Sequence, residues 1–124
     1  MELSCPVSLG EVLDKVSILR IKSVRIKDPA KVAHVQLELQ RLTSILGDLT
    51  PYETFLRDLT EHNNVLWDVE DFLRMKEKKG EYDKDFIASA RKAYMTNDRR
   101  FAVKDAANKH FNSAIQEQKS YDEP

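Results

Sequence analysis

Between residues 32 and 46, apolar side chains fall at Val32, Val35, Leu39, Leu42 and Leu46, alternating spacings of three and four. At 3.6 residues per turn this pattern keeps one stripe on one side of an α-helix, whereas a strand, with its period of two, would scatter it over both faces. Related spacing runs through most of the chain and constrains the fold more than any other feature. Leu9, Val12, Val16, Leu19 and Ile26 form a stripe widened by Leu13, Ile18, Ile21 and Val24. A third seam runs through Tyr52, Phe55, Leu59, His62, Leu66, Val69 and Leu73. Phe86, Ile87, Ala90, Ala93 and Tyr94 make a fourth, and Phe101, Val103, Ala106, Ala107, Phe111 and Ile115 carry the spacing onward.

The few Gly and Pro residues punctuate these stripes. Ser8 followed by Glu11 is a capping box, which predicts a helix from there to about Lys27. Asp28-Pro29 restarts the chain with an N-cap and a proline in the first turn, and Gly47 closes the second helix. Thr50-Pro51-Tyr52-Glu53 repeats both start signals. Basic residues over 76–79 followed by Gly80 fit the negative end of a third helix dipole, and that run is read as a solvated helix end. Tyr82 to Asp85 begins the last third. Thr96 and Asn97 are good N-cap residues, so a fifth helix is expected to start there with Asp98 in its first turn. Arg99 and Arg100 would then oppose the dipole, and a carboxylate on another helix, Glu70 or Asp71, is expected to compensate. The predicted fold is all-α, an antiparallel bundle of four to five helices, forming one domain over residues 1–124 with a frayed polar tail at 116–124.

A chain of this length buries roughly two-thirds of its unfolded surface and needs no covalent staple. Its 20 basic and 21 acidic residues leave a net charge of −1, so no nucleic-acid or membrane partner is expected. The single Cys5 excludes an internal disulfide and a thiolate zinc site. Residues 1–10 carry no basic run of the signal-peptide kind, and no apolar run approaches the roughly 20 residues that span a bilayer. The expected location is the cytoplasm.

Three polar stripes accompany the apolar ones. Glu11, Lys15, Lys22 and Arg25 lie along the first helix with Asp14 beside them; Asn63, Trp67, Glu70 and Arg74 lie along the third; Asn97, Arg100 and Lys104 share a face further on. The bland reading of each is a solvated face, and Trp67 is read first as a core or interface anchor. His34, His62 and His110 lack metal-ligand spacing, and no glycine-rich phosphate loop or activated nucleophile is present. Glu11 and Asp14 match half of the Glu-x-x-Asp arrangement by which all-α nucleotide pyrophosphohydrolases hold magnesium. The second half is missing, because Glu70-Asp71 is followed by Phe72, Leu73 and Arg74. No metal and no cofactor is expected.

The stretches VSLGEVLDKVSILRIKSVRIKDPAKVA, NNVLWDVED, ARKAYMTNDRR with Lys104, and EQKSY together resemble a family of short bacterial and phage proteins, a domain of unknown function. The resemblance runs in order from Val7 to Tyr121. It places Gly10, Glu11, Asp14, Lys15, Lys22, Asn63, Trp67, Glu70, Asp71, Tyr94, Asn97, Asp98, Arg99 and Lys104 on motif positions. It implies a helical fold and assigns no activity. Polar motif positions from three helices are accounted for by one cluster between them, either a structural network or a pocket for a small anionic ligand walled by Arg99, Arg100 and Lys104. The leading expectation is a binding or assembly protein, a homodimer because the apolar stripes of the first two helices are wide. The alternative is an enzyme acting on a phosphorylated or nucleotide-like substrate.

Overall fold

Most of the local start and stop signals become helix ends, those at Thr50 and Asn97 excepted. In the computed structural model, which describes residues 1–121, helix α1 spans Leu9–Arg25 and Ser8 Oγ accepts the Glu11 N–H at 3.2 Å. Helix α2, Pro29–Leu46, is capped by Asp28, whose carboxylate accepts the Ala30 N–H at 2.9 Å. It ends at Gly47, whose φ of 71° is a left-handed value that L side chains rarely adopt. Thr50 does not cap the third helix. Asp48 accepts both the Thr50 N–H and its hydroxyl, so Thr50–Tyr52 form a 3-10 turn that leads directly into α3, Glu53–Lys79. Asp83, bonded to the Phe86 N–H at 3.1 Å, opens α4, Lys84–His110.

The predicted break at Asn97 does not occur: α4 runs for 27 residues through Thr96 and Asn97. Asn97 turns its side-chain oxygen to the Arg100 guanidinium at 3.3 Å, and Thr96 is buried, so neither acts as a cap. Thr96, Asn97 and Arg100 lie on the inner side of a continuous helix, and Arg99 is exposed on its other side. Arg99 and Arg100 therefore lie mid-helix, where the dipole has no free end to oppose them.

The described residues contain four α-helices and no strand, an all-α bundle, and none of the helices is long and apolar enough to cross a membrane. Helix α1 packs against the other three, and α3 and α4 pair along their length. Leu13, Val16, Leu56, Leu59 and Ala107 form the buried centre, with Leu39, Leu42, Leu46, Phe55 and Val103 packed around it. Helix α2 is peripheral, and Val35 is its one buried residue. Leu39 is only partly buried, so Leu39→Ala is expected to cost about 1–2 kcal/mol, below the usual range for a buried leucine. Chemical denaturation checks this; a loss above about 3 kcal/mol would mean that α2 is more enclosed.

Two positions on α3 depart from the apolar template. His62 is partly exposed and Asn63, one residue on, faces the interior. Lys76 is not a solvated helix end: it is buried, and its ammonium reaches Asp83 at 2.6 Å and Glu81 at 2.8 Å. Lys78 and Lys79 remain exposed. The Lys76 bond, followed by the Phe86 N–H, holds the Asp83 carboxyl below its ordinary value. A depressed carboxyl stabilises the fold fully above its unfolded value of 3.8 and loses that effect as pH falls through the folded value. The melting temperature is therefore expected to drop below about pH 4, and Asp83→Asn, which keeps the cap oxygen, should flatten that part of the profile. An unchanged profile in the variant would exclude Asp83 as its origin.

Candidate functional site

Asp14 is the centre of the polar cluster. It is fully buried on α1, among leucines and valines, where an unpaired carboxylate would be very costly. Three donors compensate it. Asn63 Nδ2 of α3 donates to Oδ1 at 2.9 Å, Arg100 Nε of α4 donates to the same oxygen at 2.8 Å, and Arg100 Nη2 donates to Oδ2. Ser17 Oγ accepts from Asn63 Nδ2 at 2.8 Å and donates to the Asp14 carbonyl at 2.7 Å. The two-pronged Arg100 bond raises the guanidinium pKa above its ordinary value, outweighing the opposing effect of burial. One network thus ties α1, α3 and α4 together.

A second polar layer lies nearer the start of α1. Lys104, buried on α4, reaches Glu11 at 2.7 Å and Glu117 at 2.8 Å. Burial pulls the Lys104 pKa down, but its bonds to Glu11 and Glu117 raise it overall. Gly10 N–H donates to Asn108 Oδ1 at 2.6 Å and Leu9 N–H to Ser113 Oγ at 3.1 Å, so α4 and the segment after it satisfy free donors of the first turn of α1. Gly10 permits this approach, because a Cβ there would lie 2.5 Å from the Lys104 carbonyl oxygen.

Two members of the Asp14 network, Asn63 and Arg100, line an open cleft of about 450 Å³ between the three helices. Helix α1 contributes Ile18, Ile21 and Lys22; α3 contributes Asn63, Leu66, Trp67, Glu70 and Asp71; α4 contributes Asn97 and Arg100. Lys22 makes no ion pair among the described residues. The Arg25 guanidinium lies 5.6 Å from the centre of the Trp67 ring while bonding Asp68 at 2.7 Å. Glu70 pairs loosely with Arg74 on its own helix, at 3.6 Å.

Arg100 thus reaches a carboxylate on another helix, but the carboxylate is Asp14 and neither Glu70 nor Asp71. Arg99, Arg100 and Lys104 do not form one wall. Arg99 is exposed on the far side of α4 beside Arg91, Lys92 and Met95, and Lys104 is spent on Glu11 and Glu117. Lys15 points toward α2 and pairs with Glu38 at 3.3 Å, and Asp98 lies outside the cleft lining. Ser17 and Asn108 escaped the sequence reading. Ser17 is a small polar residue set within an apolar run, a signal available in the sequence, whereas Asn108, followed by Lys109 and His110, carries none. Among the described residues no group of three or more His, Cys, Asp or Glu is arranged to hold a metal, and both carboxylates of the Glu-x-x-Asp pattern are committed to cations.

Fold and site together define an all-α protein with a buried, ion-paired layer backing a three-helix cleft. The model of the family of unknown function DUF6165 matches residues 3–124, and the chain belongs to that family. Comparison with curated proteins and with solved structures gives no match.

Proposed function

We propose that this chain is a cytoplasmic, homodimeric binding protein whose cleft between α1, α3 and α4 takes a small ligand carrying one anionic group. The observation that carries this reading is the contrast between the cleft's back and its face. At the back, Arg100 and Asn63 are held by hydrogen bonds to Asp14 and Ser17 behind them and are therefore pre-organised. The face offers Lys22, a cation without an ion pair among the described residues, Trp67, apolar Ile18 and Ile21, and the carboxylates Glu70 and Asp71 as acceptors. A rigid polar wall beside an apolar floor and one free cation favours a ligand with an acidic group, a ring or chain, and hydroxyl donors. The alternative of an enzyme acting on a phosphorylated or nucleotide-like substrate draws less support, since the Asp14 carboxylate is buried and already bonded by three donors from Asn63 and Arg100.

Thermal melting in the presence of phosphate monoesters, nucleotides with magnesium, and sugar nucleotides tests the proposal. At least one class is expected to raise the melting temperature by several degrees, because a ligand that binds only the folded state must stabilise it. Lys22→Ala should weaken that ligand about tenfold or more, as a hydrogen bond to a charged group contributes roughly 1.5–3 kcal/mol. Its effect on the ligand-free melt should be small, since Lys22 makes no ion pair among the described residues. No shift with any class at millimolar concentration would overturn the reading.

A further inference from the structure

The charges along the cleft between α1, α3 and α4 do not suit a molecule that is anionic throughout. Lys22 and Arg100 line it together with Glu70 and Asp71, two cations and two carboxylates. Arg100 is spent on Asp14 behind it. Glu70 has Arg74 only at 3.6 Å, with both side chains more than half exposed. Asp71, like Lys22, makes no ion pair among the described residues. With or without Arg74, the lining carries no excess of positive charge. A ligand bearing negative charge alone would be attracted at Lys22 and repelled at the carboxylates.

Trp67, Glu70 and Asp71 stand three and four residues apart on α3, so the two carboxylates flank the indole on one side of that helix. A cation already sits at the edge of this group. The Arg25 guanidinium lies 5.6 Å from the centre of the Trp67 ring. Its bond to Asp68 raises its pKa, and the Asp71 charge adds to the same effect at longer range. Carboxylates and an aromatic face both attract an ammonium group. A metal ion fits less well. Successive helical residues point about 100° apart, so Glu70 and Asp71 diverge, and no third ligand joins them among the described residues.

We infer that the ligand of this cleft is a zwitterion, with its anionic group at Lys22 and an ammonium group beside Trp67, between Glu70 and Asp71. The inference rests on the cleft reading of the proposed function and names the chemical class of its ligand. Apolar Ile18, Ile21 and Leu66 of the same lining suit the carbon skeleton that joins the two ends.

Aminoalkyl phosphates of two to four carbons test it, each against its N-acetyl counterpart and against inorganic phosphate. Binding to the full chain is followed by Trp67 emission, in EDTA so that no divalent cation bridges phosphate to carboxylate. At least one amine is expected to bind several-fold tighter than its N-acetyl match. Glu70→Gln combined with Asp71→Asn should abolish that preference and leave phosphate bound as well as before, or better. Both positions are exposed, so the double variant should fold, which circular dichroism checks. Phosphate that binds while no amine exceeds its N-acetyl match would overturn the zwitterion and leave the anionic site standing. A preference that survives the loss of both carboxylates would do the same. Phosphate binding that needs added magnesium would assign the carboxylates to a metal and overturn the inference. If no probe moves the emission, phosphate included, the cleft reading and the inference fall together.

Discussion

Arg100→Leu is expected to lower the free energy of unfolding by about 3–5 kcal/mol, the largest effect of any single polar substitution in this chain. The physical reason is asymmetry of burial. The Asp14 side chain is 1% exposed and that of Arg100 is 26% exposed. Removing the guanidinium leaves a carboxylate with two of its three side-chain donors gone and no route to water. Removing the carboxylate instead leaves a cation that can turn outward toward the cleft. Asp14→Asn should therefore cost less, about 1–3 kcal/mol. The double variant should cost well under the sum, because the leucine then faces a neutral amide. Urea unfolding of the four proteins would give a coupling of about 1–3 kcal/mol, whereas Glu70→Gln combined with Arg100→Leu should be additive within about 0.5 kcal/mol. Coupling to Glu70 and none to Asp14 would place the arginine on the wrong carboxylate.

The second large effect sets local preference against packing. Gly10 lies in the first turn of α1, where alanine is normally the better helix former by up to about 1 kcal/mol. Gly10→Ala is nonetheless expected to destabilise by about 3 kcal/mol. The added methyl would lie 2.5 Å from the Lys104 carbonyl oxygen and 3.0 Å from Asn108 Oδ1. The nearer atom is helix backbone, which cannot swing aside as a side-chain tip can. Helices α1 and α4 must separate, which stretches the Gly10–Asn108 bond and draws Glu11 away from Lys104. A melting temperature at or above wild type would show that the two helices have slack between them.

These two residues also mark where the sequence was legible. Caps are local, so Ser8, Asp28-Pro29, Gly47 and Gly80 announced helix ends through side chains and dihedrals within a few residues. Helix α4 was misread because its inner face breaks the amphipathic rule. Thr96, Lys104 and Asn108 are buried there at helical spacing, so a search for an apolar stripe finds a gap where the helix continues. In α3, both Leu59-His62-Leu66 and Leu59-Asn63-Leu66 satisfy spacings of three and four, and only burial selects Asn63. The expected anion beside Arg100 rested on a helix start at Asn97 that does not occur, so Arg100 has its carboxylate for a different reason, the pairing of a buried Asp14. The identity of that anion was not readable, since Asp14 is 86 residues away and α1 comes beside α4 only through the packing of the bundle. The cleft has the same origin: Lys22, Trp67 and Asn97 come from three helices, and no local pattern joins them.

Trp67 is the only tryptophan in the chain and lines the cleft, so its fluorescence reports directly on whether a small molecule enters. The decisive measurement is a titration of that emission with inorganic phosphate, then with phosphate monoesters and nucleotides, in the wild type and in Lys22→Ala. A saturable change in intensity or wavelength at micromolar to millimolar ligand is predicted, with the midpoint displaced about tenfold or more in the variant. Emission that stays constant throughout, or that responds identically in the wild type and in Lys22→Ala, would contradict a cleft built to bind an anionic ligand through Lys22.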